Sequence, residues 1–180
     1  MPKVHILPPE LVSKIAAGEV IERPASVVKE LIENALDAGA DTIEVILKDA
    51  GRALIEIKDN GGGIEPDDFK KIFLRHATSK ISTSEDLFSI HSLGFRGEAL
   101  YSIAAISDVT LTSRTKEQNC AWHIHMRGGQ KYSLRPAAMG NSGTDISVKE
   151  LFYNTPARRK RSSLLERYFQ TFNPAKTRSG

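Results

Sequence analysis

Residues 24–39, PASVVKELIENALDAG, constrain the fold more than any other stretch. Pro24 suits a first helical position, and Gly39 suits the residue just past a helix end. Between them Val27, Val28, Leu31, Ile32, Ala35 and Leu36 recur at helical spacing. That pattern predicts an amphipathic helix with an apolar stripe to bury. The opposite face carries Glu30, Glu33, Asn34 and Asp37. Glu30 and Asn34 are four residues apart, so they stack one turn above the other. A carboxylate and an amide oxygen stacked this way suit one small hard metal ion or one water. A plainly solvated acidic face has the same pattern.

The rest of the chain reads as elements arranged around that helix. A short helix over Glu10 to Ala17 is expected to stop at Gly18. Thr42 to Lys48 and Ala53 to Lys58 alternate as two strands of a hairpin around Ala50-Gly51-Arg52. The second strand runs into Asp59-Asn60-Gly61-Gly62-Gly63, which no helix or strand would keep. Pro66 to Leu74 reads as a helix with acids in its first turn. His76 to Ser84 is polar and loop-like, and Glu85 to Ser89 suggests one helical turn. Gly94-Phe95-Arg96-Gly97 leads into a helix over Glu98 to Ile106. Strands follow at Val109 to Arg114, Ala121 to Met126, Lys131 to Arg135 and Thr144 to Val148. A hairpin turn is expected at Arg127 to Gln130, and a short helical turn at Glu150 to Tyr153. This order predicts one α/β domain, a two-layer sandwich with helices over one face of a mixed, largely antiparallel sheet.

Among the 180 residues Cys120 is the single cysteine, which excludes a disulfide framework and a cysteine metal cage. His123 and His125 alternate on a strand and read as one face of a sheet, not as ligands. No apolar run reaches membrane length, and no basic-then-apolar leader opens the chain. The expectation is therefore a protein of the cytoplasm (or nucleoid, or nucleus in a eukaryote) with no membrane partner. The net charge of +3 is uneven. Residues 155–180 carry seven basic side chains and one acid, so a basic end follows a mildly acidic body. Such an end suits weak contact with DNA, or simple solvation.

Three stretches carry chemistry beyond the central helix. Asp59 stands where a strand ends, beside glycines that let a ligand approach the backbone. A carboxylate there can accept from an exocyclic amine such as adenine's, although a DNGGG turn can also be only a turn. Gly94 to Gly97 before a helix offers free backbone N–H groups to phosphate, but it matches neither common phosphate-loop fingerprint. Thr78, Ser79 and Lys80 would add hydroxyls and one positive charge. Gly143-Thr144 opens a late strand, where a threonine hydroxyl can support Asp59.

Taken in order, these segments resemble one family. IAAGEVIERPASVVKEL at 15–31, KELIENALDAGA at 29–40, DNGGGI at 59–64, HATSKI at 76–81, GFRGEAL at 94–100, GT at 143–144 and LFYNTPARRK at 151–160 carry the likeness. They are similar to the N-terminal ATPase region of the MutL family of DNA mismatch repair proteins, within the GHKL superfamily. The resemblance covers roughly residues 1–160. It implies a Bergerat fold that binds ATP and Mg²⁺ between helices and sheet under a mobile lid. By motif, Glu30 resembles the general base that activates the attacking water, and Asn34 the magnesium ligand. Asp59 resembles the adenine-reading carboxylate, with Gly63 at its side and Thr144 in support. Thr78, Ser79, Lys80 and the backbone of Gly94, Phe95, Arg96, Gly97, Glu98, Ala99 and Leu100 resemble the lid and its phosphate contacts. The family's partners are mismatch-recognition and strand-cleaving repair proteins, mismatched DNA, and a second copy joined on ATP binding.

The likeness ends after Lys160. The expectation is an ATP-binding domain at 1–160 and a divergent basic tail at 161–180, in a chain that reads as a fragment, truncation or frameshift. The second domain, which the family uses to bring a lysine to the γ-phosphate, is not visible, so ATP binding is expected more firmly than turnover. Two other readings compete. One is a non-catalytic nucleotide- or DNA-binding module. The other is a sensor kinase's catalytic domain, against which both Glu30 and LFYNTPARRK speak.

Overall fold

The computed structural model describes residues 6–77 and 98–160. Six strands form one sheet: β1 (Ile43–Lys48), β2 (Leu54–Asp59), β3 (Asp108–Arg114), β4 (Ala121–Arg127), β5 (Gln130–Ala137) and β6 (Gly143–Lys149). Their order is β1-β2-β6-β3-β4-β5, and every neighbouring pair is antiparallel. Among the described residues three α-helices accompany them: α1 (Pro9–Val20), α2 (Pro24–Asp37) and α3 (Ala99–Ala105). α1 and α3 pack together, and α2 lies against β2.

Alternation along the central strands explains the single covered face. Ile55 and Ile57, Ile146 and Val148, and Val109 and Leu111 point inward and are buried. α2 answers with Val27, Leu31 and Ala35, and α1 with Ala17, followed by Ile21 just past its end. At about 25 cal/mol per Å² of apolar surface, this shared burial is what holds helices to sheet. The other face stays polar. There Thr112 Oγ1 lies 2.8 Å from His123 Nδ1, and Asp108 Oδ1 lies 2.9 Å from His125 Nε2. The paired histidines are thus a sheet face, as their alternation predicts. Burial and nearby Arg135 hold His123 below its ordinary pKa.

α2 begins at Pro24 and ends in a Schellman motif. The Gly39 N–H donates to Leu36 O at 2.9 Å, and the Ala40 N–H to Ala35 O at 3.1 Å. Gly39 takes φ +75°, the left-handed value that the motif requires. Leu36 departs from its expected burial: it is 47% exposed, because the stripe facing the sheet ends at Ala35. Two further expectations are corrected. Gly18 does not stop α1, which runs on to Val20. A Cβ at Gly18 would overlap the Arg158 guanidinium, so glycine there makes room for a neighbour. Residues 66–74 form a series of turns, not a regular helix. Bonds from Asp68 N to Glu65 O and from Lys71 N to Asp68 O span three residues, while Ile72 N to Asp68 O spans four. Phe69 and Phe73 still reach the core, so the side-chain spacing holds while the ladder does not. The expected turn at Glu85 to Ser89 lies outside the described residues, as does the tail from 161. Among the described residues no helix is long and apolar enough to cross a membrane.

Candidate functional site

At one end of the covered face the apolar rows give way to a polar row. Asp59 pairs across the ladder with Thr144, and Thr144 with Ser113. Period-two alternation makes the three side chains continue the rows of Ile57, Ile146 and Leu111. The Asp59 carboxylate accepts from the Gly61 N–H at 2.9 Å and also from the Thr144 N–H. Burial nevertheless lifts its pKa above the ordinary aspartate value, and the two N–H groups offset this only in part. No ion pair to Asp59 occurs among the described residues.

The backbone closes tightly around this carboxylate. Gly143 has φ +130°, and a Cβ there would lie 2.0 Å from the Asp59 carbonyl oxygen. Gly63 has φ +76°, and a Cβ there would lie 2.2 Å from the Arg114 carbonyl oxygen. Neither position admits a side chain without movement. Asn60 pins the loop from below: its Oδ1 accepts from the Asp41 and Thr42 N–H groups at 3.1 and 3.0 Å. Gly62 N–H donates to Ala38 O at 2.8 Å. The glycine loop is therefore bonded to the turn that closes α2, the helix carrying Glu30 and Asn34.

On α2 both Glu30 and Asn34 are half-buried. Lys29 reaches Glu33 at 2.9 Å and only approaches Glu30 at 3.9 Å. Lys29 thus prefers the carboxylate one turn away, and among the described residues Glu30 has no cation closer than Lys29. On α3, Glu98 is the N-cap residue, and Ala99 and Leu100 form the first turn. The Glu98 side chain does not cap its own helix. It faces His76 Nδ1 at 3.1 Å and Arg75 Nε at 3.5 Å instead. Thr78, Ser79, Lys80, Gly94, Phe95, Arg96 and Gly97, read as lid and phosphate contacts, lie outside the described residues.

Three contributors are not apparent from the sequence. Ser113 is fully buried, and its hydroxyl bonds two other segments, the glycine loop at Ile64 and the start of β6 at Gly143 and Thr144. Its signal was a polar residue at the inward position after Val109 and Leu111. Arg158, one of the basic residues assigned to the solvated end, turns inward to the Gly18 and Ile21 carbonyls at the end of α1. A cation there matches both the orphan carbonyls and the helix dipole. Asn154 Nδ2 likewise donates to Ala105 O, at the end of α3, at 2.9 Å. The LFYNTPARRK stretch therefore ties down two helix ends, and its first arginine is unavailable to DNA.

Known proteins are similar throughout this region. The profile of the histidine kinase-, DNA gyrase B- and HSP90-like ATPase family matches residues 21–137. The MutL mismatch repair protein of Leuconostoc citreum (strain KM20) is 57% identical over 160 residues, 89% of this chain and 24% of that protein. That of Serratia proteamaculans (strain 568) is 58% identical over 158 residues, 87% of this chain and 25% of that protein. The chain thus spans about a quarter of the length of the curated relatives it matches. Among solved structures, the N-terminal domain of a DNA repair protein superposes with TM-score 0.71 at 35% identity, covering 89% of this chain and 45% of that one. The Aquifex aeolicus MutL ATPase domain complexed with ADP superposes with TM-score 0.61 at 34% identity, covering 86% and 57%.

Proposed function

We propose that this chain, which belongs to the histidine kinase-, DNA gyrase B- and HSP90-like ATPase family, binds ATP with its adenine against Asp59 and uses the nucleotide as a conformational switch in DNA mismatch repair. One observation carries the reading. A carboxylate sits at a strand end on the covered face, partly desolvated, bonded to two backbone N–H groups and with no cation beside it among the described residues. Such a group is an acceptor held ready for a donor, which an exocyclic amine supplies. The ADP held by the Aquifex MutL domain supports the same ligand class here.

The roles proposed for the other residues come from the likeness to MutL, and their chemistry agrees with it. Glu30 would take the proton of the attacking water, since a half-buried carboxylate without a close cation can act as general base. Asn34, one turn on, would lend its amide oxygen to Mg²⁺. Among the described residues no three acidic, histidine or cysteine side chains gather as a metal cage. A single amide oxygen suits magnesium, which takes the rest of its shell from phosphate and water. When bound, the ion would neutralise charge on the phosphates. The first-turn N–H groups of α3 would face the same phosphates, and Thr78, Ser79, Lys80 and residues 94–97 would complete that end. A domain spanning 1–160, mismatch-recognition and strand-cleaving partners, DNA, and an ATP-dependent dimer remain parts of this proposal. They come from the likeness to MutL.

Isothermal titration with a non-hydrolysable ATP analogue, with and without Mg²⁺, tests the reading. Magnesium-enhanced binding is expected, and Asn34→Ala should remove the enhancement while leaving magnesium-free binding in place. No binding in either condition would refute it.

A further inference from the structure

We infer that Ser113 is a positioning residue that fixes the Thr144 hydroxyl as an acceptor, so that the base site presents two acceptors side by side and favours a ligand amine over a ligand carbonyl. The inference rests on the nucleotide reading above and adds to it a residue and a direction of selectivity.

Ser113 Oγ is fully buried and has three partners. It lies 2.7 Å from the Gly143 carbonyl oxygen, 3.0 Å from the Ile64 N–H and 3.0 Å from Thr144 Oγ1. A serine hydroxyl has one proton and two lone pairs. A carbonyl oxygen can only accept, so the Ser113 proton goes to Gly143. A backbone N–H can only donate, so it takes one lone pair. The Thr144 hydroxyl must then donate into the other. Its own proton is thus turned away from the cleft, and the lone pairs it has left can only accept. Asp59 is the ladder partner of Thr144, and its carboxylate is also an acceptor. The row therefore suits an amine, such as the C6 amino group of adenine, and opposes an oxygen at the same position.

The test compares ADP with inosine diphosphate, which carries a C6 oxygen in place of the amine. Titration of both into the parent chain should show ADP preferred. In Ser113→Ala the Thr144 proton is released and can turn towards the C6 oxygen. The ADP-to-IDP affinity ratio should then fall by about 2- to 10-fold, the scale of one neutral hydrogen bond. Ser113→Cys fills nearly the same space with a poor donor and acceptor. It should lower the ratio likewise, and it carries the test if Ser113→Ala does not fold. Ser113→Thr, which keeps the hydroxyl, should restore the parent ratio. If the variants weaken ADP and IDP by the same factor, Ser113 only packs the strands together, and the inference is overturned while nucleotide binding stands. If the parent binds neither nucleotide, the functional reading fails and this inference fails with it.

Discussion

Asp59 and Asp145 stand one ladder step apart, on opposite faces of the same sheet. Burial raises the pKa of each. What balances the charge differs. Asp145 faces the open side, 4.0 Å from Lys58 Nζ, which also holds Glu56 at 2.9 Å. Asp59 faces the covered side and, among the described residues, is balanced by the Gly61 and Thr144 N–H groups. A carboxylate with a lysine beside it already has a cation to offset part of its burial. One held by fixed dipoles under a helix layer keeps a demand for a donor, and a ligand can satisfy it. The difference teaches that desolvation does not by itself mark a functional acid; the kind of partner does.

The first two predictions each set a residue near Asp59 or on α2 against a control elsewhere in the chain. The largest effect is expected at Glu30. Glu30→Ala should lower phosphate release by about 10²–10⁴-fold, the usual share of a general base. Nucleotide affinity should be nearly unchanged, because a base acts in the transition state. Glu56→Ala, an open-face carboxylate, should leave both alone. Unaltered release in Glu30→Ala would move the base elsewhere.

Next in size is the backbone around Asp59. Gly143→Ala should destabilise by about 1–3 kcal/mol from backbone strain and a similar amount from overlap with the Asp59 carbonyl. Gly140, with nothing within 4 Å of an added Cβ, is its control. Gly140→Ala should change stability by no more than about 0.5 kcal/mol. Thermal melts that shift equally for both would show that the close approach at Gly143 is relaxed in solution.

A smaller effect separates stability from binding. Because the folded-state pKa of Asp59 is raised, the fold holds that proton more tightly than the unfolded chain does. Asp59 therefore opposes folding above its raised pKa, and its penalty is relieved as pH falls through that value. At neutral pH Asp59→Asn should melt no lower than the parent. Nucleotide binding should run the other way in the parent, weakening with acid at a pH above the usual aspartate range. A melt clearly lowered by Asp59→Asn would reverse the sign assigned to its burial.

Much of this is legible in the sequence. The six strands follow from two-residue alternation, and α2 from its stripe, Pro24 and Gly39, because these signals are local. Asp59 and Thr144 were readable as a strand end and a strand start. Their pairing needed the register, which brings residues 85 positions apart into one row. Ser113 was hidden for that reason: its three partners come from two segments distant in sequence, at Ile64 and at Gly143-Thr144. Gly18 and Arg158 misled in a complementary way. A glycine that looked like a helix stop and an arginine that looked solvated are explained only by each other. The turns at 66–74 show that apolar spacing reports which side chains reach the core, not whether the ladder is regular.

The central claim, that Asp59 rather than any half-desolvated acid reads the ligand's amine, is tested most directly by titrating ADP into three proteins: the parent, Asp59→Asn and Asp145→Asn. Loss of a charge-assisted hydrogen bond of about 1–3 kcal/mol corresponds to roughly 5- to 150-fold weaker binding in Asp59→Asn. Asp145→Asn should bind ADP as the parent does. Equal affinity of parent and Asp59→Asn, or equal losses in both variants, would contradict the account.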